Sequence, residues 1–216
     1  MNEPQKRQGR GCLFYAVISV ILIAAVILFG AYLGLRYAKR LVNQLTDTQP
    51  MTLPSVHLSN ERMFQLHDRV NSFSDDIKDG ENVAPLTLSA EEVNALIETD
   101  AGLAPLRNHV YVTFNTNQLK GQISFLAEDL GLDALHGRYV NADGTFNVGL
   151  TNDQLVIMAE SLTVKGKPVP RHIMKQVAAQ NLAAKFDQDP KVTAGLKKLE
   201  GIQIKDGKLV IVPKKP

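Results

Sequence analysis

Hydrophobic and polar positions are arranged in three ways along this chain, and each arrangement predicts a different element. The first is continuous. From Cys12 to Leu35 run 24 residues with no charge, bracketed by Lys6, Arg7 and Arg10 on one side and Arg36, Lys39 and Arg40 on the other. At about 1.5 Å of rise per residue such a helix reaches about 36 Å, enough to cross a hydrocarbon core of about 30 Å with some tilt. A cleavable secretory signal has a shorter apolar core and a small-x-small cleavage site, whereas this run ends in Gly34-Leu35-Arg36. The pattern predicts an uncleaved transmembrane anchor, a signal-anchor over residues 12–35, preceded by a basic tail over 1–11.

The second arrangement has a helical period. Residues 36–58 carry Pro50 and Pro54, which oppose continuous helix, and read as a juxtamembrane spacer. Met63, Leu66, Val70, Phe73 and Ile77 then recur at steps of three and four behind Ser59 as N-cap, with Leu58 and Met63 placed as a hydrophobic staple. This predicts an amphipathic helix over about 60–78, within a segment 59–79. Residues 80–216 read as one α+β domain. In it a short strand at Leu86–Leu88 leads into a helix at about 90–99, where Ser89 and Glu92 have capping-box spacing. Glu91 and Glu92 there suit the positive end of the helix dipole and need no catalytic role.

The third arrangement alternates. Val110, Val112 and Phe114, then Leu119, Gly121, Ile123 and Phe125, interleave with polar residues and predict an antiparallel meander of about four strands. Thr116-Asn117, Asp143-Gly144 and Asn152-Asp153 are its expected turns, the second joining Arg138–Asn141 to Phe146–Leu150. The last strand, Leu155–Val164, is apolar on both faces from Leu155 to Met158, which places it under another layer or beside something greasy. Helical spacing returns with Ile173, Met174, Val177, Ala178, Leu182 and Phe186, predicting a long packed helix over about 170–186 and a shorter one over about 189–199. Asp206-Gly207 between Ile202–Lys205 and Leu209–Val212 closes the chain with a β-hairpin.

Charge sharpens this layout. The net charge is +2, yet residues 1–47 hold six Lys/Arg against Glu3 and Asp47 for +4, leaving 18 basic against 20 acidic residues, or −2, beyond them. The basicity belongs to the membrane flanks, and a near-neutral domain has no electrostatic footprint for nucleic acid. Three basic residues on each side of the span tie the positive-inside count. The free amino terminus, and the ease with which long domains cross, favour a cytoplasmic N-terminus with residues 41–216 outside the plasma or inner membrane. Cys12 is the single cysteine and sits in the anchor as a small apolar residue, so the domain has no disulfide and no thiolate metal site.

Chemistry is sparse. His57, His67, His109, His136 and His172 show no ligand-pair spacing, and GxSxG, GxxxxGK[ST] and GxGxxG patterns are missing from the sequence. Asp75-Asp76 and Glu128-Asp129 are adjacent residues whose side chains diverge, which does not make an acid/base dyad. No catalytic residue, metal site or cofactor is expected. Gly30 and Gly34 form a GxxxG pair through which two spans can pack, a candidate helix-dimerisation face.

The segment Leu86–Ile97, together with Gly144–Val148, Glu160–Pro170 and the closing Ile202–Val212 hairpin, resembles the YpmS-like single-pass membrane proteins and, more distantly, the tubular lipid-binding (TULIP-like) domains. The likeness covers residues 84–212 and brings no catalytic residues. It implies an antiparallel sheet wrapped around a long helix. An amphiphile groove would then be lined by Ile157 and Leu162 on the last strand and by Ile173, Met174, Val177 and Phe186 on the helix. The same residues also suit a closed core, the simpler reading of each position, and the extra helix at about 60–78 departs from the family pattern. The function expected is a membrane-anchored, non-enzymatic domain binding a lipid or other amphiphile at the envelope. The alternative is a structural or adaptor subunit of an envelope complex. The partners expected are the bilayer, an amphiphile, and a second copy or an envelope protein.

Overall fold

A computed structural model describes residues 10–184 and 189–215, with side chains from Ile27 onward other than Lys191. The chain forms two units divided between Gln44 and Leu45. The first is built on helix α1, Arg10–Leu45. Its described apolar side chains Ile27, Leu28, Phe29, Tyr32, Leu33 and Leu35 are exposed, and the Arg36 guanidinium lies 5.3 Å over the Tyr32 ring. Among the described residues no helix is long and apolar enough to cross a membrane, and the side chains of residues 12–26, most of the expected span, are not among those described. Of the basic tail expected over 1–11, residues 1–9 also lie outside them.

The second unit is an α+β domain with two antiparallel sheets. Helix α2, Asn60–Asp79, forms where its apolar spacing predicts: Ser59 caps its first turn by accepting from the Arg62 N–H, and Gly80 ends it in the left-handed region at φ 78°. Strand β1, Leu86–Leu88, feeds helix α3, Ala90–Thr99, through a complete capping box between Ser89 and Glu92. The meander follows as β2, Val110–Asn115; β3, Gln118–Leu126; β4, Tyr139–Thr151; and β5, Gln154–Val164. A two-residue strand β6, Lys167–Pro168, adds to β5. After helices α4, Arg171–Ala178, and α5, Pro190–Leu196, the hairpin β7, Leu199–Lys205, and β8, Lys208–Pro213, completes the domain.

The strands β2-β3-β4-β5-β6 make one sheet in sequence order. The other has the order β1-β8-β7, so the first strand of the domain pairs with its last, Leu86 opposite Ile211. A hydrophobic core lies among α2, α3, α5 and this smaller sheet, with Leu66, Phe73, Leu86, Leu88, Ala95, Leu96, Leu196 and Leu199 buried. Arg62 to Glu91 at 2.8 Å and Arg69 to Glu92 at 2.7 Å bridge α2 to α3 across its rim.

Three local expectations are corrected. Asp143-Gly144 is not a turn: it lies inside β4, and Gly144 pairs with Gly121 on β3 and Leu162 on β5. The Phe146 ring covers both glycines. A Cβ at Gly144 would meet the Phe146 ring at 2.7 Å and the Leu162 side chain at 2.6 Å, so glycine is demanded by close packing rather than by chain reversal. The expected turn Thr116-Asn117 does form, since Asn115 pairs with Gln118 across it; Asn152-Asp153 and Asp206-Gly207 are tight turns as well, with an unforeseen one at Lys165-Gly166. Asn152-Asp153, Lys165-Gly166 and Asp206-Gly207 each have two successive positive φ values, the requirement of a type I′ hairpin turn.

The expected long helix over about 170–186 stops at Ala178, and the chain turns so that Asn181 can serve β5. Beyond β6 the outer edge of β5 has no strand neighbour among the described residues, and Asn181 takes that place: its Oδ1 accepts from the Ile157 N–H at 3.0 Å and its Nδ2 donates to the Leu155 carbonyl at 2.9 Å. The Leu182 N–H continues the pattern to the Ile157 carbonyl at 2.9 Å. Finally, the helix expected over about 189–199 ends at Leu196, because Leu199 opens β7.

Candidate functional site

The strand register places every side chain of the large sheet on one of two faces. On the apolar face, Val112, Gly121, Gly144 and Leu162 form one row across four strands, with Phe146 and Ala142 buried beside it. The expected groove residues are at the β5 side of the sheet. Helix α4 packs against β5, and Ile157, Leu162, Ile173, Met174 and Val177 are all half-buried. Leu182, just beyond the helix and bonded to the Ile157 carbonyl, is 43 % exposed. An incompletely covered apolar seam therefore runs between β5 and α4. Phe186 lies outside the described residues. Gly30 and Gly34 are exposed on α1, and among the described residues no atom beyond the helix's own backbone lies within 4 Å of where a Cβ would sit on either.

The opposite face is polar and equally regular. Tyr111, Gln122, Asp143 and Thr163 stand in one row across β2 to β5, and Thr113, Lys120, Thr145 and Ser161 in the next. Within the first row Gln122 Nε2 donates to Asp143 Oδ1 at 2.9 Å, and Thr163 Oγ1 donates to the Asp143 carbonyl at 3.2 Å. These two rows line an open depression of about 430 Å³. At its margin the register shifts between Thr145 and Phe146, which leaves Glu160 of β5 as the extra residue of a β-bulge.

A third polar row, Ser124 and Asn141, is covered by residues 46–51, part of the expected spacer. Asp47 bridges Tyr139 through both backbone groups at 2.7 and 2.8 Å. The Met51 N–H donates to Ser124 Oγ and to Asn141 Oδ1, each at 3.1 Å, while Asn141 Nδ2 donates to the Gln49 carbonyl at 2.8 Å. Arg138 Nε and Lys165 Nζ both reach Thr46. This strap buries Ser124 to 1 % exposure and covers its row of the polar face. Between the strap, Asp143 and Lys165 lies a second depression of about 380 Å³. Neither depression is lined by a residue of the apolar seam.

The electrostatics of the domain are structural in character. Asp47 sits below the usual carboxylate range because the Thr48 N–H donates to it, with Lys165 adding to the effect against a smaller opposing cost of burial. Burial pushes Glu92 upward, but the Ser89 N–H at 2.7 Å and the Arg69 guanidinium outweigh it, so its carboxyl is lowered overall. Among the described residues no group of three His, Cys, Asp or Glu side chains is placed to hold a metal ion. Of the histidines, His109 stacks on Phe125 at 4.9 Å between ring centres with Nδ1 at 2.7 Å from the Ser124 carbonyl, and His136 meets Glu128 at 2.6 Å on the surface.

Periodicity located the strands but not which polar residues share a row, since that depends on register across hairpins of unknown length. The alternation Tyr111-x-Thr113 and Lys120-x-Gln122 was the available trace of the polar face. No protein-family model matches the chain, and no curated protein or solved structure matches it either.

Proposed function

We propose that this chain is a single-pass membrane protein, anchored by residues 12–35 with its N-terminus cytoplasmic, whose non-enzymatic domain takes the apolar part of a lipid or other amphiphile at the seam between β5 and α4. The observation that carries the binding reading is that Ile157, Ile173, Met174 and Val177 are only half-buried and Leu182 is exposed beside them. Such a seam gains from a bound acyl chain about 25 cal/mol for each Å² of apolar surface it removes from water. The anchor reading is supported by the uncharged run itself and by the exposure of Ile27, Leu28, Phe29 and Leu35 on α1. The resemblance to YpmS-like and tubular lipid-binding proteins points the same way.

Two measurements test this. The full chain should stay in the pellet when membranes are washed with alkaline carbonate, and release into the wash removes the anchor. Purified with delipidating detergent, it should bind a fluorescent fatty acid saturably and carry an amphiphile in native mass spectrometry, both lost in Met174→Asp. A chain that binds neither sinks the amphiphile reading. A second reading, an adaptor in an envelope complex, is favoured by the exposed Gly30 and Gly34 on α1. Crosslinking in membranes that yields only monomer would remove it.

A further inference from the structure

We propose that the polar face of the large sheet is a second binding site, and that its ligand is an uncharged glycan strand lying across β2 to β5. Its lining is hydroxyl and amide with a single cation, Lys120, and a single anion, Asp143, so the trough offers no net charge to a phosphate, a nucleic acid or a polybasic peptide. A ligand suited to it presents many neutral donors and acceptors. Neighbouring side chains in a row are about 4.8 Å apart, close to the length of one pyranose ring, so successive sugars can meet successive strands.

The two partners a glycan needs are both present. Asp143 and Gln122 are already coupled at 2.9 Å, which orients a carboxylate and an amide for paired contacts to adjacent hydroxyls. Tyr111, half-buried at the end of the same row, supplies an aromatic surface for the apolar side of a ring and a hydroxyl at its tip. The trough is an open depression on a sheet face rather than an enclosed cavity, as an extended chain requires and a small enclosed ligand does not. Many antiparallel sheets turn a polar face to water with no ligand at all. This one differs in what adjoins it: the strap covers the neighbouring Ser124–Asn141 row and, with Asp143, lines a second depression that shares Asp143 with the trough.

The test uses the full chain in detergent micelles, titrated with chitotetraose and cellotetraose and, for comparison, an acidic peptide of similar length. Saturable binding to at least one tetrasaccharide is expected, weakened at least fivefold by Tyr111→Ala, Asp143→Ala and Lys120→Ala and unchanged by Asp68→Ala on the remote surface of α2. Asp143 and Lys120 are exposed, so their variants should keep the wild-type thermal midpoint and report on binding alone. Absence of saturable binding to both sugars, binding that survives the trough substitutions, or preference for the acidic peptide overturns the proposal.

Discussion

Asn94 meets Val112 as a neighbouring strand would: its Oδ1 accepts from the Val112 N–H at 2.8 Å and its Nδ2 donates to the Val112 carbonyl at 2.7 Å. A helix side chain thereby closes the open edge of β2, and Asn181 does the same for β5 at the other side of the sheet. Unpaired edges are templates for pairing with another chain, and two carboxamides blunt both.

Asn94→Ala leaves the N–H and C=O of buried Val112 without partners. At about 1–3 kcal/mol for each of the two orphaned groups, the loss should be about 2–6 kcal/mol, read by urea unfolding of the full chain. A loss below about 0.5 kcal/mol would show that water replaces the amide at no cost.

Asn181→Ala acts on a half-buried edge and should cost less, about 1–2 kcal/mol. Hydrogen exchange localises the effect: the Ile157 amide should exchange at least about tenfold faster, while Val112 is unchanged. Equal acceleration at both amides would contradict two independent clasps.

Gly144→Ala drives a methyl into Phe146 and Leu162, and overpacking of this kind costs about 1–3 kcal/mol. Gly149→Ala, in the same strand but with open space around it, should stay within about 0.5 kcal/mol. Thermal unfolding of the pair separates packing from strand propensity, since propensity alone would move both alike.

Glu92 has a lowered pKa in the folded domain, so the unfolded chain takes up its proton first as pH falls. Its contribution is complete above the ordinary carboxylate range and is lost as pH drops through the folded value. Glu92→Gln should therefore be less stable at about pH 7 yet lose less on acidification to about pH 3. Parallel pH curves for the two proteins would rule out this carboxylate as a source of acid sensitivity.

Asn141→Ala removes the groups that receive Met51 and hold Gln49. With about 1–2 kcal/mol of local stability lost, protease cleavage within 46–51 should accelerate about tenfold while the core unfolds at an unchanged denaturant concentration. Unaltered cleavage would place the hold on Thr46 and Asp47 instead.

What could be seen in the sequence was what is decided locally. The Ser89–Glu92 capping box, the Ser59 cap and the Asn152-Asp153 and Asp206-Gly207 turns each depend on residues a few positions apart, and all formed where their spacing indicates. Asp143-Gly144 has the same local signature as Asp206-Gly207, but Gly144 answers to Gly121, Phe146 and Leu162, three contacts set by register. The apolar stripe that begins at Ile173 outruns the helix for a related reason: Asn181 breaks it to satisfy a strand edge that no periodicity reveals. Of the groove residues, the apolar character of Ile157, Ile173, Met174 and Val177 was legible, whereas their degree of cover is a property of the assembled layers.

The pairing of Leu86 with Ile211 also sets a timetable. The smaller sheet cannot form until β8 has been synthesised, so Leu86, Leu88 and the faces of α2 and α3 that pack on it must wait for residues far along the sequence. Local elements such as α2 and the β2–β3 hairpin can form early, but the core that joins them closes last. During that interval the nascent domain shows its greasiest surface, and a stop in synthesis before Ile211 releases a chain that has its helices and no interior to hold them.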